Sequence, residues 1–592
     1  MAPGDATRAG IREQMFGHRG RMHTRLLTLA AVFALGGAGV TARVAYVQLV
    51  DTAHYKAQAR DEHFGQQVVR AARGAILDRN GYPLATTVDA YDIFINRPDW
   101  QNLDDARKAA AFIAPLIGVQ HPEDLVNEVR KDDKGLYRAY SGLDFDKGDL
   151  LHDADAPGLR VVQTTKRYYP EGDLASPLLG FVGRDHVGLT GIEKDFDSEL
   201  GGKPGTVYFE RDSIGNRIAL GAERVGQKPE PGGDIRLTID RYIQRLVEGE
   251  LQTQVAKTGA LGGSIIVMDP KTGALLAMTS SPEFKLSQLD LSDPDQALFR
   301  NRAVTDVYEP GSVFKTLTAA MAVDLGLVTP ESTYNDTGAA YIGSATIRNW
   351  DYSANGVTSV TQLLQRSLNT GAVWLSGLVG KDAFYAYLRK FGIGEPTHVG
   401  LGGEPDGLLR TPDNPAWTAV DLATNAFGQG VGTTPLQVIT AISSLANGGR
   451  LMRPYVVQQM DTPAGKRDLS PVVVRQVVSE QAAATVADMM NQVVEGSPGH
   501  LAAIKGYHVA GKTGTTTGAT LADGTVHNGN VASFIGFAPV NDPKMIVLIK
   551  LDFKEDKLGG QVSAPVFADI APSILAYLGV RPSGPQLVTT DH

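Results

Sequence analysis

The chain of 592 residues contains no cysteine. Disulfides, thiol nucleophiles and cysteine-ligated metals are thereby excluded, while the compartment stays open. There is no His-Glu-x-x-His and no other histidine cluster that would suggest a zinc enzyme, so neither metal nor cofactor is expected. An excess of positive charge is also missing. The net charge of -9 and a pI near 5.8 give no global case for a nucleic-acid partner. Long-period repeats and low-complexity tracts are absent, and only one apolar run approaches the length of a membrane span. What remains is a chain long enough for several domains, with 43% hydrophobic residues and a sizeable core to build.

The single apolar run is N-terminal. Arg8, Arg12, Arg19, Arg21 and Arg25 precede it against only Asp5 and Glu13. Leu26 to Ala42 carries no charge, Arg43 can snorkel, and Val44 to Val47 extends the apolar surface with Tyr46 near the interface. The reading is a cytoplasmic tail at 1–25, a retained anchor at 26–47 and the remaining chain outside. A cleaved signal peptide ending near Val40-Thr41-Ala42 is the alternative, disfavoured by the length of the run. Ala30, Ala34, Ala38 and Ala42, with Gly37 and Thr41 alongside, form a small-residue stripe at helical spacing.

Beyond the anchor, residues 48–230 mix short strand-like and helix-like pieces with no catalytic signature. Ala75 to Arg79, Asn80-Gly81 and Tyr82 onward predict a hairpin, because Asn-Gly accepts the positive φ of a tight turn. Gly201-Gly202-Lys203-Pro204-Gly205 is a breaker, and Gln227 to Gly233 marks a domain boundary. Residues 231–580 then form a second unit, followed by a tail at 581–592. Strands are expected at 263–269 and 274–280, joined by a turn at Lys271-Thr272-Gly273. Further strands are expected at 508–515, 531–540 and 544–551, and a closing helix at 563–578 despite Pro572. Strands at both ends of a helix-rich middle imply an α/β sheet completed by distant segments.

Three short motifs carry the chemistry: Ser312-Val313-Phe314-Lys315, Ser367-Leu368-Asn369 and Lys512-Thr513-Gly514. Each alone has a bland reading, as an N-capping serine with a solvated lysine, a polar turn, or a strand end. Their order as S-x-x-K, S-x-N and K-T-G is far more specific. Ser312 follows Pro310-Gly311 and begins an apolar helical pattern, so Lys315 lies one turn away on the same face. A buried Lys315 with a depressed pKa could take the serine proton, and Lys512 could supply the neighbouring cation that depresses it. Ser367 would relay the proton towards the leaving group, and Asn369 would hold a substrate amide. Thr513 and Thr515 could donate to a carboxylate beside Lys512, and Gly514 would allow close approach of a ligand. The backbone N–H groups of Ser312 and Thr515 are candidates for an oxyanion hole.

These motifs resemble those of class B penicillin-binding proteins, and most of all the FtsI type that acts in cell division. Further stretches carry the likeness: Arg73 to Gly81, Gly188 to Asp197, Arg300 to Ser312, Phe427 to Gly430 with Thr434 to Gln437, and Ile504 to Gly511. Leu368 departs from the pattern, where serine is common, and bears only on local packing. The resemblance implies a penicilloyl-serine transferase (β-lactamase-like) α/β catalytic domain on an elongated α+β pedestal of the dimerisation type, behind one transmembrane helix. It implies a peptidoglycan D,D-transpeptidase in the bacterial inner membrane, with its catalytic domain outside. Ser312 would attack the penultimate D-Ala carbonyl of a stem peptide, release D-Ala and pass the acyl group to an amine. β-Lactams would acylate the same serine. Glycan polymerisation would need a partner, a SEDS-type glycosyltransferase such as an FtsW-like protein, among other divisome membrane proteins.

Other readings compete. A class A β-lactamase would want a glutamate with an asparagine four residues on, placed after the S-x-N motif; Glu331 and Asn335 have that spacing but precede Ser367. A membrane β-lactam-sensing receptor would want a larger cytoplasmic effector or several spans. An esterase of the G-x-S-x-G kind has no such motif here. The elongation-type paralogue of the same enzyme is the nearest alternative.

Overall fold

The computed structural model describes residues 7–52, 54–55, 64–132, 135–154, 156–210, 223–289, 296–462, 465–496, 501–520 and 526–582. Asp5 and all but the first two residues of the expected C-terminal tail lie outside them. The chain divides into two compact units, Met1–Arg70 with Pro204–Glu230, and Ala71–Lys203 with Pro231–His592.

The first unit contains the helix Thr7–Leu49. Its segment His23–Leu49, 27 residues of mean hydropathy 1.6, is long and apolar enough to cross a membrane, and none of its residues is buried in the protein. The helix therefore extends past both ends of the expected 26–47 span, because nothing between Thr7 and Leu49 interrupts helical geometry. Strands Phe64–Val69, Gly205–Glu210 and Glu223–Gln227 form an antiparallel sheet with Gly205–Glu210 in the middle.

The second unit is organised by two sheets. In one, Ile76–Leu77 turns back into Pro83–Asn96 through Asn80-Gly81. Gly81 takes φ +90 and donates its N–H to Asp78, so the expected hairpin is present. Leu136–Asp144 and Leu159–Tyr168 flank Pro83–Asn96. Helices Leu103–Leu116 and Pro122–Lys131 cover it through Ile93, Ile95, Ile113 and Val129. Ile76–Leu77 also pairs in parallel with Ile235–Leu237, which joins Val457–Thr462. One sheet thus runs across the expected 230/231 boundary. Close by, Glu193 binds Arg73 (2.5 Å) and Arg167 (2.6 Å) with all three side chains buried.

The second sheet is antiparallel in the order Leu275–Ser281, Gly262–Met268, Met545–Phe553, Val526–Ala538, Ala510–Thr520. Alternate residues of its central strands face opposite cores. Ile265, Val267, Val547 and Ile549 meet helices Arg241–Thr258 and Ala564–Tyr577. Ile266, Met268, Ile546 and Leu548 meet the helical lobe. Both faces being buried explains why these strands read as apolar runs rather than alternations. The expected turn at Lys271-Thr272-Gly273 is present, with Gly273 at φ +81. Ala510–Thr520 is the outer strand, paired on one side only, and its free edge is available to the site.

Candidate active site

The first motif sits where sequence places it. A 3-10 turn Gly311–Phe314 leads into the helix Lys315–Asp324. Most of that helix is buried, because Leu317, Ala319, Ala320 and Met321 face core on every side. Gly311 holds φ +63, and a Cβ there would lie 2.4 Å from Thr516 Cγ2, so only glycine lets the turn press against the Ala510–Thr520 strand. Ser312 is half-buried and makes no hydrogen bond through Oγ to any described residue.

Lys315 is fully buried, and its amine is turned towards the second motif. Nζ donates to the Ser367 carbonyl (2.5 Å) and to Asn369 Oδ1 (2.8 Å), and lies 3.3 Å from Ser367 Oγ. A neutral amine has two N–H groups and one lone pair. The two carbonyl-type oxygens use the N–H groups, leaving the lone pair for a hydroxyl proton. Burial first, and then the charge of Lys512, lower the Lys315 pKa well below the ordinary lysine value.

The Ser367 backbone makes this possible. The helix Val360–Arg366 ends on Ser367 in the left-handed region, φ +56 and ψ 45. A serine there costs on the order of 1–2 kcal/mol, offset by the two oxygens it turns onto Lys315. Leu368 is buried and Asn369 begins the helix Asn369–Val379. Asn369 Nδ2 donates to the Arg348 carbonyl at 2.9 Å. Beneath it, buried Asp336 accepts from Asn349, Asn355, Gly338 and Thr370, tying the 349–355 loop to the start of that helix.

The third motif lies on the outer strand. Lys512 is almost fully buried, and Nζ donates to Ser367 Oγ (3.0 Å) and to the Thr513 carbonyl (3.0 Å). Burial alone pushes its pKa down to about 7. Burial thus opposes the cation expected at Lys512, and a bound carboxylate would favour its charged form. Gly514 is also explained differently. A Cβ there would sit 2.4 Å from Ser533 Oγ, 3.0 Å from the Pro310 carbonyl and 3.2 Å from Val313, so the glycine serves contact between strand and nucleophile turn. Thr515 Oγ1 accepts from Gly559 N–H at 3.1 Å. That bond leaves the hydroxyl proton free for a ligand.

A cleft of about 950 Å³ joins Ser312, Ser367, Asn369, Thr513 and Thr515. Lys315, Lys512 and Gly514 lie behind its wall. Sequence reasoning missed much of the rest of that wall: Arg348, Trp350, Tyr352, Arg366, Thr424 and Leu501. These are loop, strand and helix-end residues with no periodic signal. In the sequence, Phe427 and Gln429 stand out only as part of a stretch that resembles the family. Their place follows from Gly428, whose absent Cβ would lie 2.4 Å from the Gly311 carbonyl.

The fold and this serine–lysine–serine–lysine arrangement define a penicillin-binding transpeptidase. The family described as "Penicillin binding protein transpeptidase domain" matches residues 263–571, and the "Penicillin-binding Protein dimerisation domain" matches 68–237. The chain belongs to the class B penicillin-binding proteins. It is 33% identical to stage V sporulation protein D of Bacillus subtilis over 93% of this chain and 85% of that protein. It is 31% identical to the peptidoglycan D,D-transpeptidase FtsI of Escherichia coli over 95% of this chain and 92% of that one. Penicillin binding protein 3 from Mycobacterium tuberculosis, solved in complex with aztreonam, superposes with a TM-score of 0.67 at 28% identity, covering 88% of this chain and 99% of that one.

Proposed function

We propose that this protein is a peptidoglycan D,D-transpeptidase that cross-links stem peptides through an acyl-serine at Ser312. The observation that carries the reading is the unengaged Ser312 hydroxyl, in a cleft backed by a buried lysine whose two N–H groups are already spoken for. The terminal carboxylate of a D-Ala-D-Ala stem is held by Lys512, Thr513 and Thr515, and Asn369 uses its second amide N–H on a stem carbonyl. Ser312 Oγ attacks the penultimate carbonyl carbon as its proton passes to Lys315 Nζ. The oxyanion takes the N–H groups of Ser312 and Thr515. Collapse breaks the peptide C–N bond, and the departing D-Ala amine receives the proton through Ser367 Oγ. The amine of a second stem then attacks the ester, losing its proton by the reverse route and freeing Ser312. Water in place of that amine gives D-Ala-D-Ala carboxypeptidase chemistry, and a β-lactam in place of the donor leaves a stable acyl-enzyme.

The proposal includes an anchor at 26–47 with the N-terminus in the cytoplasm, a pedestal at 48–230 and a transpeptidase domain at 231–580 outside the membrane. It places the enzyme at the division septum, with FtsI as the supporting relative. Glycan strands would come from a SEDS-type, FtsW-like polymerase. The exposed stripe Ala30, Ala34, Ala38 and Ala42 suits a close helix contact with it. Changing Ala34 and Ala38 to Leu should reduce co-purification with the polymerase and leave penicillin labelling intact.

The test of the enzyme assignment is product analysis. The full-length protein in detergent, given D-Ala-D-Ala-terminated stems with an acceptor amine, should release D-Ala and form cross-linked dimers. Ser312→Ala should do neither. Cross-linking that persists in Ser312→Ala contradicts the proposal.

A further inference from the structure

Two exposed arginines, Arg348 and Arg366, line the cleft, and among its described lining residues there is no aspartate or glutamate. The terminal carboxylate of a stem calls for one cationic clamp, and Lys512 with Thr513 and Thr515 supplies it on the outer strand. Arg348 and Arg366 belong to the opposite, Asn369 side. Neither forms an ion pair with a described residue. Arg348 makes no side-chain hydrogen bond among them, and Arg366 makes a single long one to Asn355 Oδ1 at 3.3 Å. The nearest acid in sequence, Asp351, is occupied by Ser353.

Two exposed arginines alone would be solvated surface. Here their backbones are built into the site. The Arg348 carbonyl accepts from Asn369 Nδ2 at 2.9 Å, and the Arg366 carbonyl accepts from the Trp350 indole N–H at 3.1 Å. Arg366 is also the residue before Ser367, whose left-handed backbone fixes that end of the helix. Main chains held in place, and guanidiniums with no carboxylate partner among the described residues, are an arrangement that presents charge to a ligand. A guanidinium reads a carboxylate by paired N–H donors, which a carboxamide cannot accept with the same charge.

We infer that Arg348 and Arg366 form a second anion subsite that reads a free side-chain carboxylate on the donor stem, upstream of its terminal D-Ala pair. The inference rests on the transpeptidase reading and names the substrate class within it. The donor is a stem whose third residue is a diamino-dicarboxylic acid with its side-chain carboxylate free, rather than amidated or replaced by a simple diamine.

The experiment compares two synthetic D-Ala-D-Ala stems that differ only in that carboxylate, free or as carboxamide. Acylation of the full-length enzyme is followed by D-Ala release, and benzylpenicillin labelling of Ser312 is measured beside it. The wild type should favour the free acid by about tenfold in kcat/KM, the scale of one charge-assisted contact. In Arg348→Gln and Arg366→Gln the ratio should fall towards one. Being a ratio, it does not depend on how much of a variant is folded. A wild-type ratio near one, or a ratio unchanged in both variants, overturns the subsite. Failure of penicillin to label wild-type Ser312 would instead overturn the transpeptidase reading beneath it.

Discussion

Lys512 and Ser367 are joined by a hydrogen bond of 3.0 Å from the amine to the hydroxyl, and the same hydroxyl lies 3.3 Å from Lys315 Nζ. Ser367 Oγ thus bridges the two lysines. Replacing it with alanine breaks the relay but keeps the backbone carbonyl on Lys315. Ser367→Ala should lower cross-link formation by about 10²-fold or more, the usual scale of a lost proton-transfer group. Stopped-flow acylation and product analysis on the same preparation would check it.

The two lysines should respond differently to arginine. A guanidinium does not give up its proton usefully and is too large for the fully enclosed Lys315 site. Lys315→Arg should abolish acylation by penicillin. Lys512→Arg keeps the charge, so slow residual acylation should remain, with recognition of the carboxylate weakened. Time courses with a fluorescent penicillin separate the two outcomes.

The same residues set a pH profile. Lys315 must be neutral to accept the serine proton, so acylation rises as pH passes its depressed pKa, well below the ordinary lysine range. Lys512 must be protonated to hold a carboxylate, so kcat/KM falls as pH passes about 7. A bell-shaped kcat/KM follows, reporting free-enzyme groups. In Lys512→Arg the alkaline limb should disappear, since the replacement stays charged.

Gly514 holds the outer strand against the nucleophile turn. In Gly514→Ala the added Cβ would meet the Pro310 carbonyl at 3.0 Å, a backbone atom with little freedom to yield. A shift of a few tenths of an ångström between Ser312 and Thr515 should reduce acylation roughly tenfold or more. Circular dichroism should stay close to the wild type.

Asp336 is the buried acceptor for Asn349, Asn355, Gly338 and Thr370. Burial opposes its charge, but those hydrogen bonds outweigh burial and keep its pKa below the ordinary carboxylate value. Asp336→Ala strands several buried donors and should destabilise the catalytic lobe by about 3 kcal/mol. A lowered unfolding midpoint in denaturant would show it.

Much of this was legible in the chain before folding. The Asn80-Gly81 hairpin and the turn at Gly273 follow from local φ requirements, and the apolar runs at 263–269 and 544–551 announce strands buried on both faces. The order of the three motifs located Ser312, Lys315, Ser367, Asn369 and the Lys512 strand. Other features depend on contacts between distant residues. The parallel pairing of Ile76–Leu77 with Ile235–Leu237 crosses what composition marks as a boundary. The left-handed Ser367 has no glycine or asparagine to announce it. Arg348, Trp350 and Arg366 become cleft residues only because Asp336 and Asn369 fasten their loops there.

The central claim is that Ser312 is the acylated residue. The most direct test is mass spectrometry of the protein after exposure to benzylpenicillin and digestion with trypsin. The peptide from Ala303 to Lys315 contains Ser312 as its one serine. The account predicts a single adduct, of the mass of intact penicillin, on that peptide and none in Ser312→Ala. An adduct on any other serine, or undiminished labelling of Ser312→Ala, would contradict it.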